Sequence, residues 1–492
     1  MVALQQASKT QRTRWPTGDG HHQCPSHAGE AALYRKLKQH RRKVTVEGVE
    51  DVVLPSEETS SRIIRFGDRW TSWLYFALDH PSFYEDHRLF QDRRRQLEFD
   101  QSADAAWLGI YFAYLTVRVF PSPTTPIGHT RHLATKTSAA EQATLLFMTT
   151  DEAECAGISE DAIPGLVANW FDSSIFFLFK SEFLRIPDLR NVQAIVLLGG
   201  SFIHLAEFTL FRSLWPCAFR ISRSLGINTN QGHESESPQQ SQERRLLFWS
   251  LVISDWLSFP LDTTCITDGE VAIELPTDSD EHFDESHLGG PSRSHHVQHQ
   301  IAMCKISIAV RRFQNSLLQD RDLWQIITAS DNELAEIISE LPRYFQAGYN
   351  VSDEVSVVDK GLAAWQRRNI TVVLLYYRMV INKVGQQYES VLSRTNLAQS
   401  SAAVCLNAAH GIVDVVIGLG SASSRQLIWS LLLPVFSAAS TLYQTSEACH
   451  CGSDNNHRRH VELCIEYFRN LADKSLFAEF AAGVLQEMLT DG

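Results

Sequence analysis

Cysteine and histidine are the side chains in this sequence best suited to hold a metal, and three groups of them stand out. In the first, Cys24 and His27 are followed by Leu37 and His40, and no fourth ligand stands three to five residues beyond His40. A structural zinc site needs four ligands, so this spacing predicts no finger. The second is the stretch 278–300, which carries His282, His287, His295, His296 and His299 without a cysteine or a fixed interval and is expected to be a flexible linker. The third, Cys449-His450-Cys451 with His457 and His460, has the content of a site but uneven spacing. No metal is expected. Asp151, Glu152, Glu154, Glu160 and Asp161 could hold magnesium or share acid–base work. Flanked by Gly157 and Pro164, they are expected to be a solvated loop. His80, next to Pro81, is expected to bond backbone in a turn. There is no nucleophile elbow, phosphate-cradling glycine loop or metalloprotease helix. The sequence therefore predicts no catalytic, cofactor-binding or metal-binding residue, which argues against an enzyme.

One run of charge has chemistry of its own. Arg35, Lys36, Lys38, Arg41, Arg42 and Lys43 crowd one short segment. Such density binds phosphate or an import receptor without sequence preference. The whole chain has a net charge of −13, so any nucleic-acid contact must be local. Binding through the run is expected to be weak and non-specific.

The elements that would position these groups are helical. At 492 residues, 44% hydrophobic and 21% charged, the chain has an ordinary globular composition and enough length for a large core. Its first residues lack the apolar run of a secretory signal. The longest apolar run, Leu427 to Leu442, contains Pro434 and is shorter than the roughly 20 residues that span a bilayer. No membrane is expected. Nine cysteines spread singly over most of the chain fit a reducing compartment better than a disulfide framework.

Helical periodicity recurs from about residue 62 to the end, in consecutive pairs that predict helical hairpins. The clearest stretch runs from Phe211 to Pro276. Leu214, Ala218, Ile221 and Leu225 form one stripe, which Gly226 ends as a left-handed cap. A polar loop follows. A second helix is expected from Glu243, apolar nearly all round, with Trp249 and Trp256 on one stripe as core. Arg244 and Asp255 lie three turns apart, too far to pair with each other, so each is expected to pin its own neighbour through a structural ion pair. The chain then leaves through Pro260 to an extended segment, Val271 to Pro276.

This order resembles the middle homology region of the fungal zinc-cluster transcription factors. The residues that carry it are Ala218, Arg220, Leu225 and Gly226 at the helix end, then Glu243-Arg244-Arg245, Phe248-Trp249 and Asp255, then Leu275-Pro276. Phe248 stands where the family has a tryptophan, and Leu261-Asp262-Thr263-Thr264 where it has Gly-Arg-Pro. The segment Ala402–Ala409 and the entry Leu54-Pro55-Ser56 also fit, so the resemblance extends over most of residues 50–490. One departure concerns the DNA-reading head. A binuclear zinc cluster needs six close cysteines, and only Cys24 precedes Cys155.

The expected fold is all-α, a large multi-helix domain of packed hairpins with a disordered basic arm over 1–45. A first helical half is expected over 46–277, an acidic and His-rich linker over 278–300, and a second half over 301–492. The resemblance implies a nuclear regulator of a fungal gene set such as a secondary-metabolite cluster, present also in the cytoplasm. Its implied partners are a DNA-binding protein or a second copy, and a small-molecule effector. The alternative is an enzyme or small-molecule-binding protein of secondary metabolism on the same scaffold. A deep pocket with converging titratable groups would favour catalysis.

Overall fold

The computed structural model describes residues 28–70, 73, 76–78, 80–95, 104–118, 162–233, 235–258, 264–277, 293–319, 322–346, 357–389, 396–417, 429–448, 454–473 and 475–491. The Cys24–His27 pair, the acidic residues 151–161 and Cys449–Cys451 lie outside these.

The protein is all-α, as expected, with fifteen α-helices among the described residues. They are α1 Ala28–Gln39, α2 Glu57–Trp70, α3 His80–Arg95, α4 Ala105–Arg118, α5 Ile163–Lys180, α6 Leu189–His204, α7 Phe208–Ser224 and α8 Pro238–Trp256. Then follow α9 Arg293–Leu317, α10 Leu323–Glu340, α11 Val357–Glu389, α12 Asn396–Ile417, α13 Trp429–Ala448, α14 Asp454–Arg469 and α15 Leu476–Asp491. Most helices pack on the next in sequence, for example α6 on α7, α11 on α12 and α14 on α15. This is the hairpin array that short connections favour.

Local signals explain several boundaries. Ser237 and Gln240 form a reciprocal capping box at the start of α8, with Pro238 in the first turn. The helix therefore opens before Glu243, where periodicity alone placed it. At the end of α7, Gly226 has φ +72°, Ile227 N–H donates to the Ser222 carbonyl and Gly226 N–H to the Arg223 carbonyl. That pair of bonds is the Schellman cap. Asp188 and Asp322 cap α6 and α10 by accepting from Arg190 and Trp324 amides.

One buried apolar cluster runs through the molecule, from Leu33 to Leu485, so both halves share a core. Helix α12, whose Ser400–Ile417 stretch is apolar and long enough to cross a bilayer, buries Cys405, Ala409, Ile412 and Val413 in that core.

Two expectations are corrected. The arm expected over 1–45 is ordered in its second part: α1 packs on α7, α13 and α15. Leu33 and Leu37, one turn apart, are buried, which a four-residue interval on a helix allows. Residues 1–27 lie outside the described part. The linker also ends early, because α9 begins at Arg293. His296 and His299 are buried, and His299 Nε2 lies 3.1 Å from Asn369 Oδ1 on α11. Burial holds the His299 imidazole down at about 4, so it is neutral at ordinary pH.

Candidate functional site

The side chains of α8 hold irregular chain on either side of it. Arg244 donates to the Thr229 carbonyl and, at 2.9 Å, to Glu236, fixing the loop before the helix. Asp255 accepts from the amides of Cys265 and Ile266, both at 2.9 Å, and from the Cys265 thiol at 3.0 Å. Trp249 and Trp256 are buried and donate through Nε1 to the carbonyls of Glu274 and Ile266. Gln242 brackets Thr277, giving to its carbonyl at 2.7 Å and accepting from its amide at 3.1 Å. The segment 264–277 has no helix of regular length and one isolated bridge, Thr229 to Ala272. It stays in place because buried backbone groups need partners and α8 supplies them.

Arg244 is thus the structural ion pair expected of it. Asp255 is not: its carboxylate is spent on backbone and a thiol. Burial raises the Asp255 pKa, opposed by the donated bonds from Cys265 and Ile266. The tryptophans are core, as expected, and also serve as backbone donors. Gln242 escaped the sequence reading, since an uncharged residue at a helix start carries no distinctive signal.

The basic run is divided by the structure. Arg42 has a side chain 12% exposed and is fixed by Asp172, at 2.9 Å through Nη1, with Glu207 beside it. Burial disfavours its charge, but Asp172 and Glu207 prevail and raise its pKa above the usual range. This pair joins the segment after α1 to α5, so Arg42 serves the fold and is not open to phosphate. Lys36 bridges to Glu487 on α15 at 2.6 Å, and the Lys38 ammonium lies 4.6 Å from the Tyr34 ring centre. Arg35, Arg41 and Lys43 remain exposed.

Helix α1 is held from both halves. Glu30 and Lys383 of α11 form a buried ion pair at 3.0 Å, with Ser440 of α13 also donating to Glu30. Arg212 of α7 donates to the Tyr34 hydroxyl at 3.2 Å. Beneath the helix lies an apolar cavity of about 120 Å³ walled by α1, α6, α7, α8, α9, α11, α13 and α15. Glu30, the one carboxylate bordering it, is already paired. No metal-holding group of three or more His, Cys, Asp or Glu occurs among the described residues.

These features can be set beside known proteins. Residues 139–367 match the family model described as the fungal specific transcription factor domain. The match spans the stretch from before α5 into α11, and so includes α8 with both segments it holds. A 104-residue stretch of the chain is 28% identical to the aurofusarin cluster transcription factor aurR2 of Gibberella zeae. The similarity covers 21% of this chain and 16% of that protein's length. Within the matched stretch, the residues that carry the resemblance have physical tasks: Gly226 ends α7, and Arg244, Trp249 and Asp255 hold the flanking segments.

Proposed function

We propose that this protein regulates transcription of a fungal gene set belonging to a secondary-metabolite biosynthetic cluster. The carrying observation is the family match over 139–367, which covers the α7–loop–α8–extended unit. The similarity to a cluster transcription factor supports the finer reading. On this reading the helical body is the regulatory part and works in the nucleus. A DNA-binding protein or a second copy of the chain docks on it. Arg35, Arg41 and Lys43 supply weak phosphate or import-receptor contact, with Lys36 and Lys38 secondary because each has a neighbour. The cavity beneath α1 has apolar walls rather than converging titratable groups, which suits binding better than catalysis.

Deleting the gene and profiling transcripts of its genomic neighbours tests the proposal. Loss or gain of neighbour transcripts supports regulation. Unchanged transcripts with an accumulating biosynthetic intermediate would replace it with the enzyme reading.

A further inference from the structure

The cavity beneath α1 does not end at its apolar walls. A second compartment, about 200 Å³, passes between α7 and α8 beside Pro216, Thr264 and Cys265. Phe211, Arg212, Ser254 and Ser258 border both, so the compartments adjoin. One water takes roughly 10–15 Å³ of such space, and close-packed interiors leave few voids much larger. Both compartments are therefore large enough to be more than packing gaps.

Their polar capacity is small and specific. Ser254, at the junction, has a hydroxyl with no hydrogen-bond partner among the described residues. Ser430 and Pro434 of α13 both border the apolar compartment. Proline has no N–H, so the Ser430 carbonyl lacks its usual helix donor four residues on. Other nearby groups are already committed. Tyr377 donates to the Leu257 carbonyl, Ser258 to the Asp255 carbonyl, and Glu30 pairs with Lys383. What remains is the Ser254 hydroxyl and two carbonyls without a helix donor, Ser430 and, by the same argument at Pro216, Arg212, beside the apolar Leu33, Leu37, Val373 and Leu433.

We propose that the two compartments form one site for an uncharged, mostly apolar small molecule bearing a single hydroxyl or N–H donor. Its rings or chain lie against Leu33, Leu37, Val373 and Leu433, and its polar group meets Ser254 or the Ser430 carbonyl. The charged side chains on the border are engaged, Arg212 with the Tyr34 hydroxyl, Glu30 with Lys383 and Asp255 with the Cys265 and Ile266 amides. A charged ligand would have to leave water for these committed groups and apolar walls, a penalty that disfavours that class. The site goes beyond the regulatory reading and does not depend on it. Binding is measured directly, whatever the transcripts of neighbouring genes do.

The test titrates the full chain with N-phenyl-1-naphthylamine, an uncharged apolar probe with one N–H, and follows its fluorescence. One saturable site per chain is expected. Ser254→Leu, which fills the junction, should weaken binding about tenfold or more, as should Leu433→Trp in the apolar compartment. Ser254→Ala should weaken displacement by 1-naphthol relative to 1-methylnaphthalene. Melting curves accompany each variant, so one that fails to fold leaves the decision to the other. On the unmodified chain, bound probe should slow amide exchange in α1. Absence of saturable binding overturns the proposal. So does unchanged affinity in both filled, folded variants, or unaltered exchange in α1 at saturation.

Discussion

Two neighbouring regions of this molecule are built on opposite terms. Around α8, buried polar side chains are each spent on a particular backbone group: Arg244 on Thr229, Asp255 on Cys265 and Ile266, Trp249 on Glu274, Gln242 on Thr277. Beneath α1 the contact is mainly apolar around a void, with the buried Glu30–Lys383 pair as its strongest polar fastening. Irregular chain carries many backbone donors and acceptors that must be matched one by one, so it needs a specific partner at each step. A helix meets its own backbone needs and can be held by side chains alone, so it can rest on an imperfect surface. The first arrangement should be rigid and intolerant. The second should tolerate change and leave room.

The largest break in the comparison is expected at Trp249. Trp249→Ala removes a buried aromatic and the donor to the Glu274 carbonyl together, and should cost about 3–5 kcal/mol. Urea unfolding of the purified variant measures it. An unchanged midpoint would mean that α8 does not hold segment 264–277 through this residue.

The fastening of α1 comes next. Glu30→Gln leaves the Lys383 ammonium buried without its counter-charge, a loss of about 3–5 kcal/mol where the element has no other escape. Here α1 can undock, so the global change should be smaller and exchange of the 28–39 amides markedly faster. Replacing both partners, as Glu30→Leu with Lys383→Met, should recover most of the loss. If the double replacement is as damaging as the single one, the pair matters for something other than its charge balance.

These two residues also show what a sequence can and cannot convey. The α8 unit was legible because its determinants are local: apolar periodicity, a glycine cap, and aromatic and charged residues at fixed intervals. Its start was missed because Ser237, Pro238 and Gln240 precede the apolar run, although together they are a recognisable capping signal. The partners of Arg244 and Asp255 were not legible, since an ion pair and a set of backbone acceptances look alike from one side chain. Helix α1 carries little apolar signal of its own, because Leu33 and Leu37 are outnumbered by charges, and its docking depends on Lys383, 353 residues away from Glu30. The cavity draws on eight helices from both halves, so no window of sequence contains it.

Adjacent residues on α8 sharpen the contrast further. Asp255 is a fastening and Ser254 faces the void. Asp255→Asn keeps one acceptor but turns an N–H₂ towards a backbone amide or thiol that had donated to it, which should cost about 1–3 kcal/mol. Ser254→Ala gives up no hydrogen bond among the described residues and should stay within about 0.5 kcal/mol. Equal effects on the melting temperature would remove the distinction between the two regions.

The smallest effect on stability is expected where the basic run is exposed. Arg35→Ala, Arg41→Ala and Lys43→Ala combined should change stability by no more than about 0.5 kcal/mol, since these side chains lie on the surface. Arg42→Ala should destabilise clearly, because it leaves Asp172 buried without the guanidinium. The same division should appear in nucleic-acid binding. Phosphate contacts release counterions, and the logarithm of affinity falls by about 0.9 for each contact per decade of salt. Three available cations predict a slope of about −3, whereas all six would give about −5. A gel-shift salt titration of the full chain on duplex DNA reads the slope, and the triple variant should lose the binding. A slope near −5, or binding that survives the triple variant, would show that cations held in the fold are released to meet DNA, or that another surface of the helical body binds it.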